Sequence, residues 1–316
     1  VAFMAPTEIL VNQHYTLANK IFKESKIKTN FLTGKTSNSE RKIKINALKE
    51  NKINIIFGTH ALFQKKTQFG NLGLIIIDEQ HKFGVKQRME LSKKGGENCD
   101  ILVMSATPIP RTLIMTFYGD MDVSKLTEKP SYRKEIISLS KPEIKINEVI
   151  KFIKKEITNK NQIFWVCPLI DESKKLDYEA AVKKFEYLNK IFTGRVGLIH
   201  GSLKNEEKEA VLKNFLYKKI QILVSTTVIE VGIDFPNANV IVIENSNKFG
   251  LSQLHQLRGR VGRSNMQATC ILLYKKNLSE NAKKRINILK STNDGFKIAD
   301  EDMKLRGFGD ILGYKQ

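Results

Sequence analysis

Leu74-Ile75-Ile76-Ile77 runs without a break into Asp78-Glu79-Gln80-His81, and this junction constrains the fold more than any other segment. Four β-prone apolar residues without alternation predict a strand buried on both faces, as in a parallel sheet. Open α/β sheets place their ligands just beyond the carboxyl ends of such strands. Two adjacent carboxylates delivered there can divide the work of a nucleotide hydrolase. Asp78 would hold Mg²⁺ and Glu79 would orient or deprotonate the attacking water. The plainer reading is an acidic start to a surface helix, a position that Asp and Glu favour. The junction alone leaves both open.

The rest of the chain repeats the strand half of this pattern. Buried-strand candidates recur at Ala2–Ala5, Thr29–Leu32, Asn54–Gly58 and Ile101–Met104, then at Gln162–Val166, Val196–Ile199, Gln221–Val224, Val240–Glu244 and Thr269–Leu273. Helical stretches of mixed charge lie between them: Glu8–Glu24, Ser39–Glu50, Asp177–Phe192 and Asn205–Leu216. Strands alternating with helices imply an α/β protein with helices on the faces of parallel sheets. A length of 316 residues suits about two domains. Pro130 and Pro142 bracket a polar stretch that reads as an interdomain linker. After Tyr274 the strands stop; Asn277–Asn293 reads as a Lys-rich helix, and Gly295–Gln316 as a helix followed by turns.

Net charge is +20, from 53 basic and 33 acidic residues, which is a prior for polyanionic partners. Only 10 of the basic residues are Arg, so much of the charge is general Lys enrichment on a solvated surface. The arginines say more, because three of the ten fall in Arg258-Gly259-Arg260-Val261-Gly262-Arg263. Guanidinium forks suit phosphate oxygens, and the glycines suggest close backbone approach. No apolar run approaches the ~20 residues of a membrane span. Val1 opens an apolar strand-like run without a charged leader, so no signal peptide is expected. Cys99, Cys167 and Cys270 are widely spaced, with no metal or disulfide framework, which fits a reducing cytoplasm.

Other strand ends carry small polar clusters. Ser105-Ala106-Thr107 reads either as a helix cap or as a bridge from the carboxylates to a partner surface. Ser225-Thr226-Thr227 precedes Glu230-Val231-Gly232-Ile233-Asp234; hydroxyls and amides there suit a sugar–phosphate backbone, and Asp234 suits a ribose hydroxyl. Pro6-Thr7-Glu8, Gly58-Thr59-His60 and His200-Gly201 suit either capping or backbone contact. Gly34-Lys35-Thr36 looks like the end of a phosphate-binding loop, but position 29 is Thr where that loop requires Gly. Gly34 is instead expected to follow a short strand on the nucleic-acid side.

In order, these pieces resemble the motor of a superfamily 2 helicase. Pro6–Glu8 matches motif Ia, Asp78–His81 motif II, Ser105–Thr107 motif III, Ser225–Asp234 motif V and Gln256–Arg263 motif VI. Longer stretches are similar to RecG, the bacterial branched-DNA helicase family: Asp78–Val85, Ser105–Leu113, Val166–Ser173 and Phe249–Arg263. The transcription–repair coupling factors share Pro108-Ile109-Pro110-Arg111-Thr112-Leu113 and a similar tail, but Gln80 and Val166–Ser173 favour RecG.

The resemblance implies two RecA-like lobes, 1–138 and 139–276, followed by a coupling region, 277–316. It implies ATP and Mg²⁺ as cofactors, with Asp78 as the metal ligand and Glu79, Gln80, His81, Arg260 and Arg263 in the catalytic centre between the lobes. Gly232, Asp234 and Gln256 would bind the nucleotide. Pro6, Thr7, Gly34, Thr59, His60, His200, Thr226 and Thr227 would bind nucleic acid. Ser105, Ala106, Thr107, Arg306 and Gln316 would couple nucleotide state to movement on DNA. The implied partners are branched or duplex DNA and a single-stranded-DNA-binding protein, with a monomeric motor and no membrane. The family's phosphate-binding loop and its fork-splitting wedge domain are expected upstream of Val1, and the coupling loop is expected to continue past Gln316. The competing expectation is a DNA-binding fragment with little ATPase of its own.

Overall fold

The computed structural model describes residues 1–80, 83, 93–96, 98–105, 122–128, 130–168, 174–226 and 235–306. These form two compact α/β units, one holding the described residues up to 105 and the other those from 122 onwards.

The first unit is a five-stranded, wholly parallel sheet. Its strands are β1 (Ala2–Met4), β2 (Thr29–Leu32), β3 (Ile55–Gly58), β4 (Leu74–Ile77) and β5 (Asp100–Val103), in the order β2-β3-β1-β4-β5. Alternation along the strands builds two cores. Ala2, Met4, Ile56, Ile75 and Ile77 pack on one face with Leu48 of α2 (Asn38–Lys49). Phe57 packs on the other with Leu10, Val11 and Ala18 of α1 (Glu8–Ile21). β4 is less uniformly enclosed than a doubly buried strand: Ile75 and Ile77 are buried, whereas Leu74 and Ile76 are half-buried. β5 is an edge strand, so Ile101 and Leu102 stay exposed.

The second unit is a six-stranded parallel sheet, ordered β6-β11-β10-β7-β9-β8. Its strands are β6 (Ile137–Pro142), β7 (Gln162–Val166), β8 (Val196–Ile199), β9 (Ile222–Ser225), β10 (Ala238–Ile243) and β11 (Thr269–Tyr274). β7, β9 and β10 are buried throughout, as unbroken apolar runs should be. Around them lie α3 (Ile146–Thr158), α4 (Lys174–Ile191), α5 (Asn205–Leu216) and α6 (Leu251–Arg258). The segment read as a linker ends in a strand: β6 pairs with β11 along its whole length. The tail supplies α7 (Glu280–Ser291) and α8 (Gly295–Arg306). Among the described residues no helix is long and apolar enough to cross a membrane.

Candidate functional site

Because every strand of the first unit is parallel, its carboxyl ends deliver five loops to one edge of the sheet. Asp78 and Glu79 emerge there from the strand next to β1. The Asp78 amide donates to Met4 O (2.9 Å), and the Gln80 amide to Met104 O (3.2 Å), so the turn is tied to both neighbouring strands. The Asp78 carboxylate is held in place: Oδ1 accepts the Glu79 N–H at 2.9 Å, and Oδ2 lies 3.1 Å from His14 Nε2. Glu79 has φ +49°, a left-handed conformation that side-chain-bearing residues rarely adopt. Backbone strain of this kind persists only where its surroundings enforce it, and it gathers at functional sites. Gln80 is buried.

His14 carries no motif signal. Its place follows from topology: α1 leaves the carboxyl end of β1 to cross over β3 towards β2, and the imidazole packs against Phe3 of β1 with ring centroids 4.5 Å apart.

Four of the predicted nucleic-acid residues share this edge with a fifth, Gly34. Gly34 and His60 are exposed, Pro6 and Thr7 are half-buried, and Thr59 is buried. The Thr7 hydroxyl caps α1 by accepting the Leu10 amide at 3.4 Å. Ser105 follows β5 at the same edge, whereas His81, Ala106 and Thr107 lie outside the described residues.

The second unit separates its predicted groups. Thr226, after β9, and His200, after β8, sit at the carboxyl edge, and both side chains are buried. Nearby, an ion pair between half-buried Lys184 Nζ and buried Glu244 Oε1 (2.6 Å) holds α4 against the end of β10. Cys167 Sγ, 3.6 Å from Glu244 Oε2, completes this cluster, and burial pushes its thiol well above the usual range. α6 returns towards the opposite edge, so Arg260 and Arg263 lie near the starts of β10 and β11. Ser264 Oγ there meets Asn239 Oδ1 at 3.3 Å. Gln256, Arg260 and Arg263 are half-buried. Thr227, Gly232, Asp234 and Gln316 lie outside the described residues, and for Arg306 only the helical backbone is described.

Motif VI needs two corrections. Arg258 is buried and serves the fold, donating from Nη1 to Leu289 O (2.6 Å) and Thr292 O (2.9 Å). Of the two glycines, only Gly262 is required by its backbone. It has φ +73°, and a Cβ there would lie 3.2 Å from Ala268 and Ile136, so it serves loop packing.

Residues 1–116 match the DEAD/DEAH box helicase family, and residues 144–265 match the helicase conserved C-terminal domain. Over its whole length the chain is 49% identical to the ATP-dependent DNA helicase RecG of Thermotoga maritima, covering 40% of that protein. The RecG of Bacillus subtilis is 45% identical, again across the whole chain, and 46% of it is covered. The chain is similar to RecG helicases along its whole length. A solved structure of RecG bound to a three-way DNA junction superposes with a TM-score of 0.79 at 45% identity. That match covers 98% of this chain and 40% of the other. The chain thus spans less than half the length of the RecG proteins it matches.

His200 gives the second unit a pH dependence that can be measured. Burial, then the charge of Lys208, lowers its pKa from the ordinary 6.5. The folded value lies below the unfolded one, so protonation opposes folding. The stability tied to neutral His200 is present above pH ~6.5 and is lost as pH falls through the folded value. His200→Gln is expected to flatten the fall in melting temperature between roughly pH 7 and pH 5. An unchanged slope would assign that pH dependence to other groups.

Proposed function

We propose that the chain is the ATP-driven motor of a helicase acting on branched DNA in repair and recombination. The observation that carries this reading is the Asp78-Glu79-Gln80 turn, strained and tied to both flanking strands at the carboxyl edge of a parallel sheet. Similarity to RecG proteins, one of them solved bound to a three-way DNA junction, supports the choice of DNA over RNA.

Asp78 fits Mg²⁺. Its carboxylate is part-exposed and already oriented, and Mg²⁺ commonly takes one or two carboxylates alongside water and phosphate oxygens. No group of three or more metal-ligating side chains occurs among the described residues, and none is needed for that mode. When bound, the ion would neutralise charge developing on the phosphates. Glu79 would take the proton of the attacking water, and Gln80 and His81 would fix its direction. Arg260 and Arg263 would offer positive charge to the phosphate oxygens. Gln256, Gly232 and Asp234 would hold the nucleotide. Ser105, Ala106 and Thr107 would pass its state to the edge carrying Pro6, Thr7, Gly34, Thr59 and His60. His200, Thr226 and Thr227 would serve the same strand of DNA from the second lobe, with Arg306 and Gln316 in the coupling region.

A full-length protein carrying this chain should hydrolyse ATP faster when a three-way DNA junction is added. Its affinity for the junction should fall linearly in log–log form with salt, with a slope near −0.9 per phosphate contact on duplex. ATP turnover indifferent to DNA would remove the motor reading.

A further inference from the structure

We propose that Lys94 is a positioning residue that folds the Thr59–Thr67 loop into a DNA-facing platform on the first lobe. The proposal rests on the DNA reading of that edge.

Beyond the short 3₁₀ turn after β3 (His60–Leu62), the Thr67 amide closes a turn on Gln64 O (2.8 Å), and the outward carbonyls of the loop take a side-chain donor as well. Lys94 supplies them. Its ammonium reaches Leu62 O at 3.0 Å, Gln64 O at 2.6 Å and Thr67 O at 2.9 Å. An ammonium has three N–H donors, and here each has a carbonyl. Thr67, itself buried, closes the loop from within by donating its hydroxyl to Ala61 O at 2.9 Å. The base of Lys94 is fixed by close packing of its neighbour: a Cβ on Gly95 would lie 2.3 Å from Cys99 Cβ and Sγ.

The folded loop is then joined to its neighbours on the same edge. Arg41 donates from Nη1 to Gln64 Oε1 (2.7 Å) and from Nη2 to Thr33 O (2.9 Å). Glu8 Oε1 accepts the Lys35 amide at 3.2 Å, linking the loop after β2 to the loop after β1. Three loops carrying Thr7, Gly34, Thr59 and His60 are thereby cross-tied, while Lys65 and Lys66 stand exposed at the tip of the third. In a chain this basic, a lysine near the edge invites a phosphate-contact reading. The geometry gives Lys94 a different task, since its ammonium reaches three carbonyls of the loop and it acts through the loop it holds.

Lys94→Met tests this with two readouts, and Thr67→Val loosens the same loop without removing a charge. Trypsin cuts after Lys65 or Lys66 only when the loop opens. Loss of charge-assisted bonds should speed that nick about 10- to 100-fold in Lys94→Met, and less in Thr67→Val. Fluorescence anisotropy with a labelled three-way junction should show weaker binding by both variants, in the same order. Unchanged nicking would overturn the proposed loop clamp. Faster nicking with unchanged junction affinity would leave Lys94 merely structural and overturn the positioning role. If Lys94→Met fails to fold, Thr67→Val decides by the same two readouts. If the unsubstituted protein does not bind the junction, the DNA reading itself fails, and the nicking assay still reports on the clamp.

Discussion

Glu79→Gln, made in a full-length protein carrying this chain, is expected to cut ATP turnover by about 10²- to 10⁴-fold, the range for removing a general base. Nucleotide should remain bound. The substitution keeps the side chain's shape, and the two contacts that orient Asp78 involve the residue 79 amide and His14, so they survive. The left-handed backbone at position 79 is held by the hydrogen bonds of its two neighbours to the flanking strands, which fixes the direction of the side chain. Single-turnover hydrolysis and equilibrium binding of ATP, measured side by side, separate the two effects. Normal turnover would remove Glu79 from the chemistry, and loss of binding with turnover would move it to the nucleotide-holding groups.

Much of this architecture is legible before any coordinates, because buried parallel strands write themselves as unbroken apolar runs. Leu74–Ile77, Gln162–Val166 and Val196–Ile199 are strands at the residues their composition marks. Two elements are harder to see. β6 reads Ile-Ser-Leu-Ser-Lys-Pro, an alternating edge strand between prolines, and its partner β11 lies far along the chain. α3 does carry a helical stripe, with Val149, Ile150, Ile153 and Ile157 buried, but it lies directly against the supposed linker and shares its lysines.

The site divides in the same way. Asp78 and Glu79 announce themselves through two adjacent carboxylates at a strand end. His14 and Lys94 cannot, since each acquires meaning only from a residue distant in sequence. Burial is similarly hidden. Thr59, His200 and Thr226 stand at strand ends where contact with DNA is expected, yet their side chains are enclosed. Their loops would have to present backbone or neighbouring groups to a ligand.

Arg258 shows most clearly what spacing conceals, since three arginines in six residues look equivalent on paper. Arg258→Met is expected to destabilise the second lobe by about 2–4 kcal/mol, because it orphans the buried carbonyl of Leu289 and the half-buried one of Thr292. The loss is tempered because Met fills apolar space and spares the lobe a desolvated charge, whose burden shows as a pKa lowered by burial. Arg258→Lys should recover little. Nη1 also reaches Ser138 Oγ at 3.3 Å and Nη2 meets His255 Nδ1 at 3.2 Å, a spread that one ammonium cannot cover. These contacts join α6 to β6 and to the end of α7, so hydrogen exchange should quicken first in α7. Urea unfolding with an unchanged midpoint would show that α7 is held by its apolar face alone. Arg260 follows two residues later and depends on the same anchored helix end. Under the proposed function, in which Arg260 offers charge to the phosphates, loosening Arg258 should also lower ATP turnover in a full-length protein whose second lobe stays folded.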